Sequence, residues 1–250
     1  HLIGQTEIDT TLQSAPDSVL SDFTPVNTYP DVSDNDIILD MLDSLVAIKF
    51  FTNTTFTADT LSLNKYNFAP GEIPDYPDSV LQERIEKLDR ESIVDLAFNK
   101  YVKNYIHVYS HRKREVSSKV LGLAEVYFPL FEEYLDRYNM PLELKYLAVV
   151  ESALNPTANS RAGAKGLWQF MYGTGKMYGL KVTSLVDDRF DPYKATDAAC
   201  RHLKDLYDIY GNWNLALAAY NSGAGNVNKA IRRAGGAKSY WAVWREDDKI

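Results

Sequence analysis

From Asp78 onward the apolar residues recur every three to four positions, and no stretch alternates convincingly in the manner of a half-buried strand. That periodicity restricts this part of the chain to packed helices. Val80, Leu81, Ile85 and Leu88 form one stripe, and Val116, Val120, Leu123, Tyr127, Phe131, Tyr134 and Leu135 form a longer one. Pro129 interrupts the second stripe, and its missing N–H predicts a kink or a fresh helix start. A third helix is expected to begin near Pro141, which suits a first turn, and to end before Pro156. A fourth is expected from about Lys194 to Tyr210, stopped by Gly211. Two shorter helices follow, from about Trp213 to Asn221 and from Asn226 to Ala234, the latter closed by Gly235 and Gly236. There is no internal repeat. The expected fold class is mainly α.

Residues 1–77 differ: they are rich in Asp, Thr, Ser, Asn and Pro, with turn signals at Pro25, Pro30, Pro70-Gly71 and Pro74 to Pro77. They read as an irregular N-terminal extension ahead of a helical domain over 78–250, with one apolar stretch, Ile37 to Phe51, able to form a helix. A chain of 250 residues with 45% hydrophobic and 24% charged residues accommodates one sizeable core, or a domain plus an extension. The net charge of −7 argues against nucleic acid or anionic lipid as a partner. The basic run from His111 to Arg114 is short and reads as a solvated helix start. The single cysteine, Cys200, excludes an internal disulfide and a cysteine metal cage; it reads as a small core residue. No apolar stretch approaches the roughly 20 residues of a membrane span. The chain opens on His1 without a visible signal peptide, so a mature or trimmed form is expected.

On the helix after Pro141, Leu144, Leu147, Ala148 and Glu151 fall at i, i+3, i+4 and i+7, which sets a carboxyl on the apolar stripe. Burying a carboxylate costs energy unless it is paired or keeps its proton. A carboxylic acid still protonated near neutral pH is what glycosidic cleavage requires, because the leaving oxygen must be protonated. Helix position alone favours a structural Glu, paired with an Arg or at the frayed helix end before Pro156.

The following segments add to the case. Asn159 to Gly166 is small-residue chain that lets backbone approach a ligand. It leads into Leu167-Trp168-Gln169-Phe170-Met171, where aromatic faces beside an amide suit a sugar, although Trp168 and Phe170 taken alone are more often core residues. Ala219-Tyr220-Asn221-Ser222-Gly223 closes an otherwise apolar helix, either as an ordinary C-cap or as part of a site.

Together, Glu151-Ser152, Ser160 through Met171 and Ala219 through Gly223 resemble the soluble lytic transglycosylase family in order and spacing. The form Gly-Leu-Trp-Gln-Phe-Met at 166–171 resembles its membrane-bound D-type branch. So do Thr174-Gly175, Tyr178-Gly179-Leu180, Arg189-Phe190-Asp191-Pro192 and Ala195 through Ala199. With Tyr138 through Pro141 and Glu143-Leu144, the likeness covers roughly Tyr101 to Ala234.

The resemblance implies a goose-type lysozyme-like helical fold with a catalytic core over about 120–235. It also implies peptidoglycan glycan strands as substrate, no cofactor and no metal. Glu151 would protonate the glycosidic oxygen and then take a proton from the sugar's 6-hydroxyl, closing a 1,6-anhydro ring on N-acetylmuramic acid. Ser160 would hydrogen-bond near that carboxyl or the acetamido group. Gln169, Phe170 and Met171 would line sugar subsites, Tyr220 would contact Glu151, and Asn221 would position substrate. A monomer working in the periplasm or at the outer membrane, with any membrane tether outside this chain, is expected on the same basis.

The sequence departs from the family at two places. Tyr172 stands where the branch commonly has Pro, and the closing Pro-x-Glu-Thr motif is absent before Ile250, as are the peptidoglycan-binding repeats, so a shortened chain is expected.

Three rival readings remain. A hydrolytic lysozyme would need a second carboxylate facing Glu151, for which Asp187, Asp188 and Asp191 are the candidates. A non-catalytic glycan-binding protein would be marked by loss of the acid, which is present. A metallopeptidase is disfavoured, since the His107/His111 pair lacks the intervening Glu of a zinc helix.

Overall fold

A computed structural model describes residues 67–69 and 71–243. The helix anticipated at 37–51 and nearly all of the extension lie outside these residues. Within them α1 (Asp78–Glu91) and α2 (Lys100–His107) lead, through a π-helical turn at Val108–Arg112, into the long α3 (Arg114–Arg137). A 3-10 turn (Leu142–Tyr146), α4 (Leu147–Ser152) and α5 (Tyr172–Met177) follow. After a second 3-10 turn (Asp188–Phe190) come α6 (Pro192–Tyr210), α7 (Trp213–Ser222), α8 (Ala224–Arg233) and α9 (Tyr240–Val243). Isolated bridges such as Lys165 with Phe170 are the β pairing among the described residues.

The helix stops follow from local chemistry. Asp191 caps α6 by accepting from the N–H groups of Tyr193 and Lys194, Pro192 fills the first position, and Gly211 at φ 65° ends the helix. Asn212 then caps α7 through the Leu215 N–H.

Two expectations need correction. α3 runs unbroken through Pro129 rather than starting afresh there, because the proline and Glu125 are on the exposed side, where water can satisfy the carbonyl that loses its partner. The helix after Pro141 begins as a 3-10 turn and becomes α-helical only at Leu147. α1 forms as anticipated, yet none of its residues is buried; Asp78 pairs with Lys103 of α2 at 2.6 Å.

Two apolar clusters make up the core, and α3 and α6 belong to both. Phe131, Trp168, Leu167 and Ala199 pack in the first; Leu135, Cys200, Leu203 and Leu215 pack in the second. Cys200 is fully buried, and that burial pushes its thiol up to about 12, which suits an inert core residue.

Gly166 marks the tightest approach. At φ +79°, a Cβ there would sit 1.8 Å from the Arg189 carbonyl oxygen, so backbone would have to move. Gly163 has a similar φ of +84° with nothing within 4 Å. Gly166→Ala should therefore cost more than about 3 kcal/mol, and Gly163→Ala only the roughly 1–2 kcal/mol of left-handed strain. Denaturant unfolding of both variants checks the difference; equal losses would contradict the close approach.

Candidate active site

Glu151 lies in the last turn of α4, one residue before the helix ends. The chain then turns through two left-handed residues without glycine, Ala153 at φ 47° and Leu154 at φ 62°, both fully buried. Ser152, also fully buried, holds this turn: its Oγ is 3.0 Å from the Ala148 carbonyl and 2.8 Å from that of Leu167. Asn155 continues it, with Oδ1 accepting from the Thr157 N–H and hydroxyl at 2.9 Å each. The carboxyl is thus presented by a rigid corner. It retains partial exposure but is closely surrounded, and burial pushes its pKa from 4.5 up to about 7. No cation pairs with it among the described residues, so the structural alternative of an Arg-paired Glu is set aside.

The loop from Asn159 to Met171 has a scaffold of its own. Lys165 and Phe170 exchange both backbone hydrogen bonds at 3.1 Å, and Ser160 closes a turn by accepting from the Ala164 N–H at 3.0 Å. Arg189, 4% exposed, reaches in from the second 3-10 turn. Its guanidinium donates to the carbonyls of Gly163 at 3.0 Å and Phe170 at 3.2 Å, and grips both oxygens of Asp187 at 2.9 and 2.8 Å. Lys165 approaches the same carboxylate at 3.3 Å. Held chiefly by the Arg189 hydrogen bond, Asp187 titrates at about 2.

Trp168 joins this loop to three helices. It is fully buried, packs on Phe131 of α3 at 4.9 Å, and donates its indole N–H to the Thr196 hydroxyl of α6 at 2.9 Å. Its carbonyl accepts the Tyr220 hydroxyl of α7 at 2.8 Å.

The residues anticipated around Glu151 therefore have distinct fates. Tyr220 lies within the field of Glu151, which adds to the burial that holds the Tyr220 proton far above its usual range. Its hydroxyl, however, is given to Trp168, and the rise at Glu151 comes from burial. Phe170 is a correction: at 2% exposed its side chain is core, 6.3 Å from the Tyr220 ring, and offers no face to a sugar. Gln169, at φ 48°, turns its amide back to the Gly166 carbonyl at 2.8 Å, and Ser160 is likewise committed to the loop. Met171 is 47% exposed, and Asn221 is exposed near the end of α7. Tyr172 occupies the first position of α5, a place where proline would cost nothing.

The three carboxylates considered as a second catalytic group are all occupied. Asp187 is clamped as above. Asp188, 4% exposed, accepts from Lys194 at 2.7 Å and from the Lys181 N–H at 2.9 Å, the first chiefly holding its pKa down. Asp191 caps α6. The clamp of Arg189, Asp187 and Lys165 was not foreseen, and its spacing carries no signal of it. His107 and His111 stack ring on ring at 4.6 Å, and no third metal-ligating side chain joins them among the described residues. Two wide, shallow cavities of about 280 and 300 Å³ share Tyr178 and Arg201, and Glu151 lines neither. The desolvated carboxyl, rather than cavity size, marks the candidate site.

Residues 129–242 match the Transglycosylase SLT domain. The chain is 41% identical over 124 residues to the membrane-bound lytic murein transglycosylase D of Escherichia coli strain K12, covering 48% of this chain and 27% of that protein. It is 30% identical over 132 residues to the soluble lytic murein transglycosylase of the same strain, covering 48% and 20%. With the peptidoglycan transglycosylase gp16 of Escherichia phage T7 it shares 36% over 104 residues, covering 40% and 8%. The chain thus spans about a quarter of the first relative's length and less of the other two. From the second half of α3 to α9, the chain carries a mainly helical, lysozyme-like Transglycosylase SLT domain.

Proposed function

We propose that this protein is a peptidoglycan lytic transglycosylase in which Glu151 is the single acid and base. The observation that carries the reading is a carboxyl whose pKa burial lifts to about 7, with no cation beside it among the described residues. A group so poised is protonated often enough to give a proton and basic enough to take one back.

In the first step the Glu151 proton passes to the oxygen linking N-acetylmuramic acid to N-acetylglucosamine, and the C1–O4 bond of that β-1,4 linkage breaks. In the second the carboxylate takes the proton of the muramic 6-hydroxyl as its oxygen bonds to C1. The products are a shortened strand and a 1,6-anhydro end, and no water is consumed. An internal nucleophile of high effective concentration removes the need for a second carboxylate. The commitment of Asp187, Asp188 and Asp191 elsewhere favours this course over hydrolysis by activated water.

Tyr220, with its proton firmly held, serves as a neutral wall beside Glu151. Asn221 and Met171, both exposed, are the side chains best able to meet the sugar, while Ser160 and Gln169 shape the loop whose backbone borders it. We assign the catalytic core to about 120–235, residues 1–77 to an extension, and the place of action to the bacterial cell envelope, following what the relatives' names say they act on. Among the described residues no helix is long and apolar enough to cross a membrane.

Glu151→Gln should leave the fold intact and lower cleavage of purified sacculi by about 10³-fold. Mass spectrometry of the released muropeptides should find anhydro ends from the parent protein; reducing ends would instead establish a hydrolase.

The raised carboxyl pKa also fixes a direction with pH. The folded state holds the Glu151 proton up to about 7, whereas the unfolded chain releases it near 4.5, so the folded state loses stability as pH rises between the two. Cleavage should fall through about pH 7. Glu151→Gln should stabilise the protein by up to about 3 kcal/mol at pH 8 and by little at pH 4. Unfolding curves at both pH values check this, and equal effects would contradict a desolvated carboxyl.

A further inference from the structure

His202 of α6 takes no part in the reaction above, yet it stands one ring away from the residue beside Glu151. Its imidazole packs on Tyr178 at 4.9 Å, on Tyr220 at 5.1 Å and on Phe170 at 6.4 Å, measured between ring centres. The proton positions around it follow from donor counting. The Tyr178 hydroxyl oxygen is 2.8 Å from Asp205 Oδ2 and 3.0 Å from His202 Nδ1. A phenol has one proton, and a carboxylate only accepts, so Tyr178 donates to Asp205. The same oxygen must then accept from His202, which places a proton on Nδ1. Burial lowers the pKa of the imidazole, leaving it neutral with that single proton. The ring is therefore fixed in orientation as well as in place.

What the ring bears on is Tyr220, and Tyr220 is in turn fixed at its far end by the Trp168 carbonyl at 2.8 Å. We propose that His202 is a positioning residue: pinned by the Asp205–Tyr178 pair, its ring props Tyr220 against Trp168 and so keeps water away from the Glu151 carboxyl. This rests on the reading of Glu151 as the acid, but its consequence is a property of the carboxyl itself. Asp205 and the Tyr178 hydroxyl face His202 directly. Arg201, 2.7 Å from the Tyr178 carbonyl, steadies that tyrosine, and the neighbouring Cys200 thiol keeps its proton. Tyr220 is the titratable group that meets the field of Glu151.

The test uses the full chain labelled with ¹³C at the glutamate carboxyls, with Glu151→Gln identifying the resonance. Carboxyl titration is followed by NMR in the parent protein, in Tyr178→Phe, which removes one hydroxyl and keeps the ring, and in His202→Ala. Both variants should lower the Glu151 midpoint by about one pH unit as water enters. On sacculi, kcat should then fall roughly five-fold at pH 7, converge with the parent at pH 5, and leave KM little changed. An unshifted midpoint in folded Tyr178→Phe overturns the proposal, as does a rate loss equal at every pH, which is what loosened packing alone would give. If His202→Ala fails to fold, Tyr178→Phe decides alone. Because NMR reads the carboxyl without turnover, a protein that released no anhydro ends would refute the transglycosylase reading and leave this inference separately decided.

Discussion

The segment between α4 and α5 is buried at both ends, over 153–155 and 166–168, without a sheet or helix to satisfy its backbone there. Buried polar groups must find partners, and a loop in this position would otherwise be expelled to the surface. Trp168 is what keeps it inside. Burying an indole is worth roughly 4–6 kcal/mol of apolar area, and this one also engages Phe131, Thr196 and Tyr220, residues from three helices. Arg189 completes the work from the other side by donating to the Gly163 carbonyl and adding a second donor to that of Phe170, which already accepts from Lys165. The corner that presents Glu151 is tied to this loop through the Ser152 hydroxyl and the Leu167 carbonyl, so the position of one acidic side chain depends on an aromatic anchor seventeen residues on.

The chemistry follows from how little polar company Glu151 keeps. Two carboxylates that hold the loop region, Asp187 and Asp188, sit against cations and have lowered pKa values. Glu151 is buried with no cation beside it among the described residues, and the tyrosine in its field spends its own proton elsewhere. The same residue type is thus driven in opposite directions by its neighbours. The division separates the carboxylates that hold the loop from the one free to exchange a proton.

Much of this was legible along the chain, where the signal is local. Gly211 and the Gly235-Gly236 pair stop helices because their left-handed backbone favours glycine, and Asp191-Pro192 starts one because cap and first turn are adjacent. The apolar stripe that carries Glu151 was visible for the same reason. Pro129 misled because its cost depends on which side of the helix meets water, and periodicity resolves that poorly. Phe170 and Trp168 taken alone favoured a core, and only the neighbouring motifs suggested a sugar platform, since their partners lie on helices distant in sequence. The Arg189 clamp and the pinned imidazole depend on side-chain directions that no spacing encodes.

The clamp has a consequence for the acid range. A carboxylate held near 2 contributes stability that is complete well above its ordinary value, near 3.8, and is lost progressively as pH falls from there through about 2. Between pH 4 and 6 the salt-linked lattice around Arg189 is therefore still charged while Glu151 has already taken up its proton. The architecture and the working group demand opposite ionisation from chemically similar side chains, and the gap between their midpoints leaves a broad mildly acidic interval in which both demands are met.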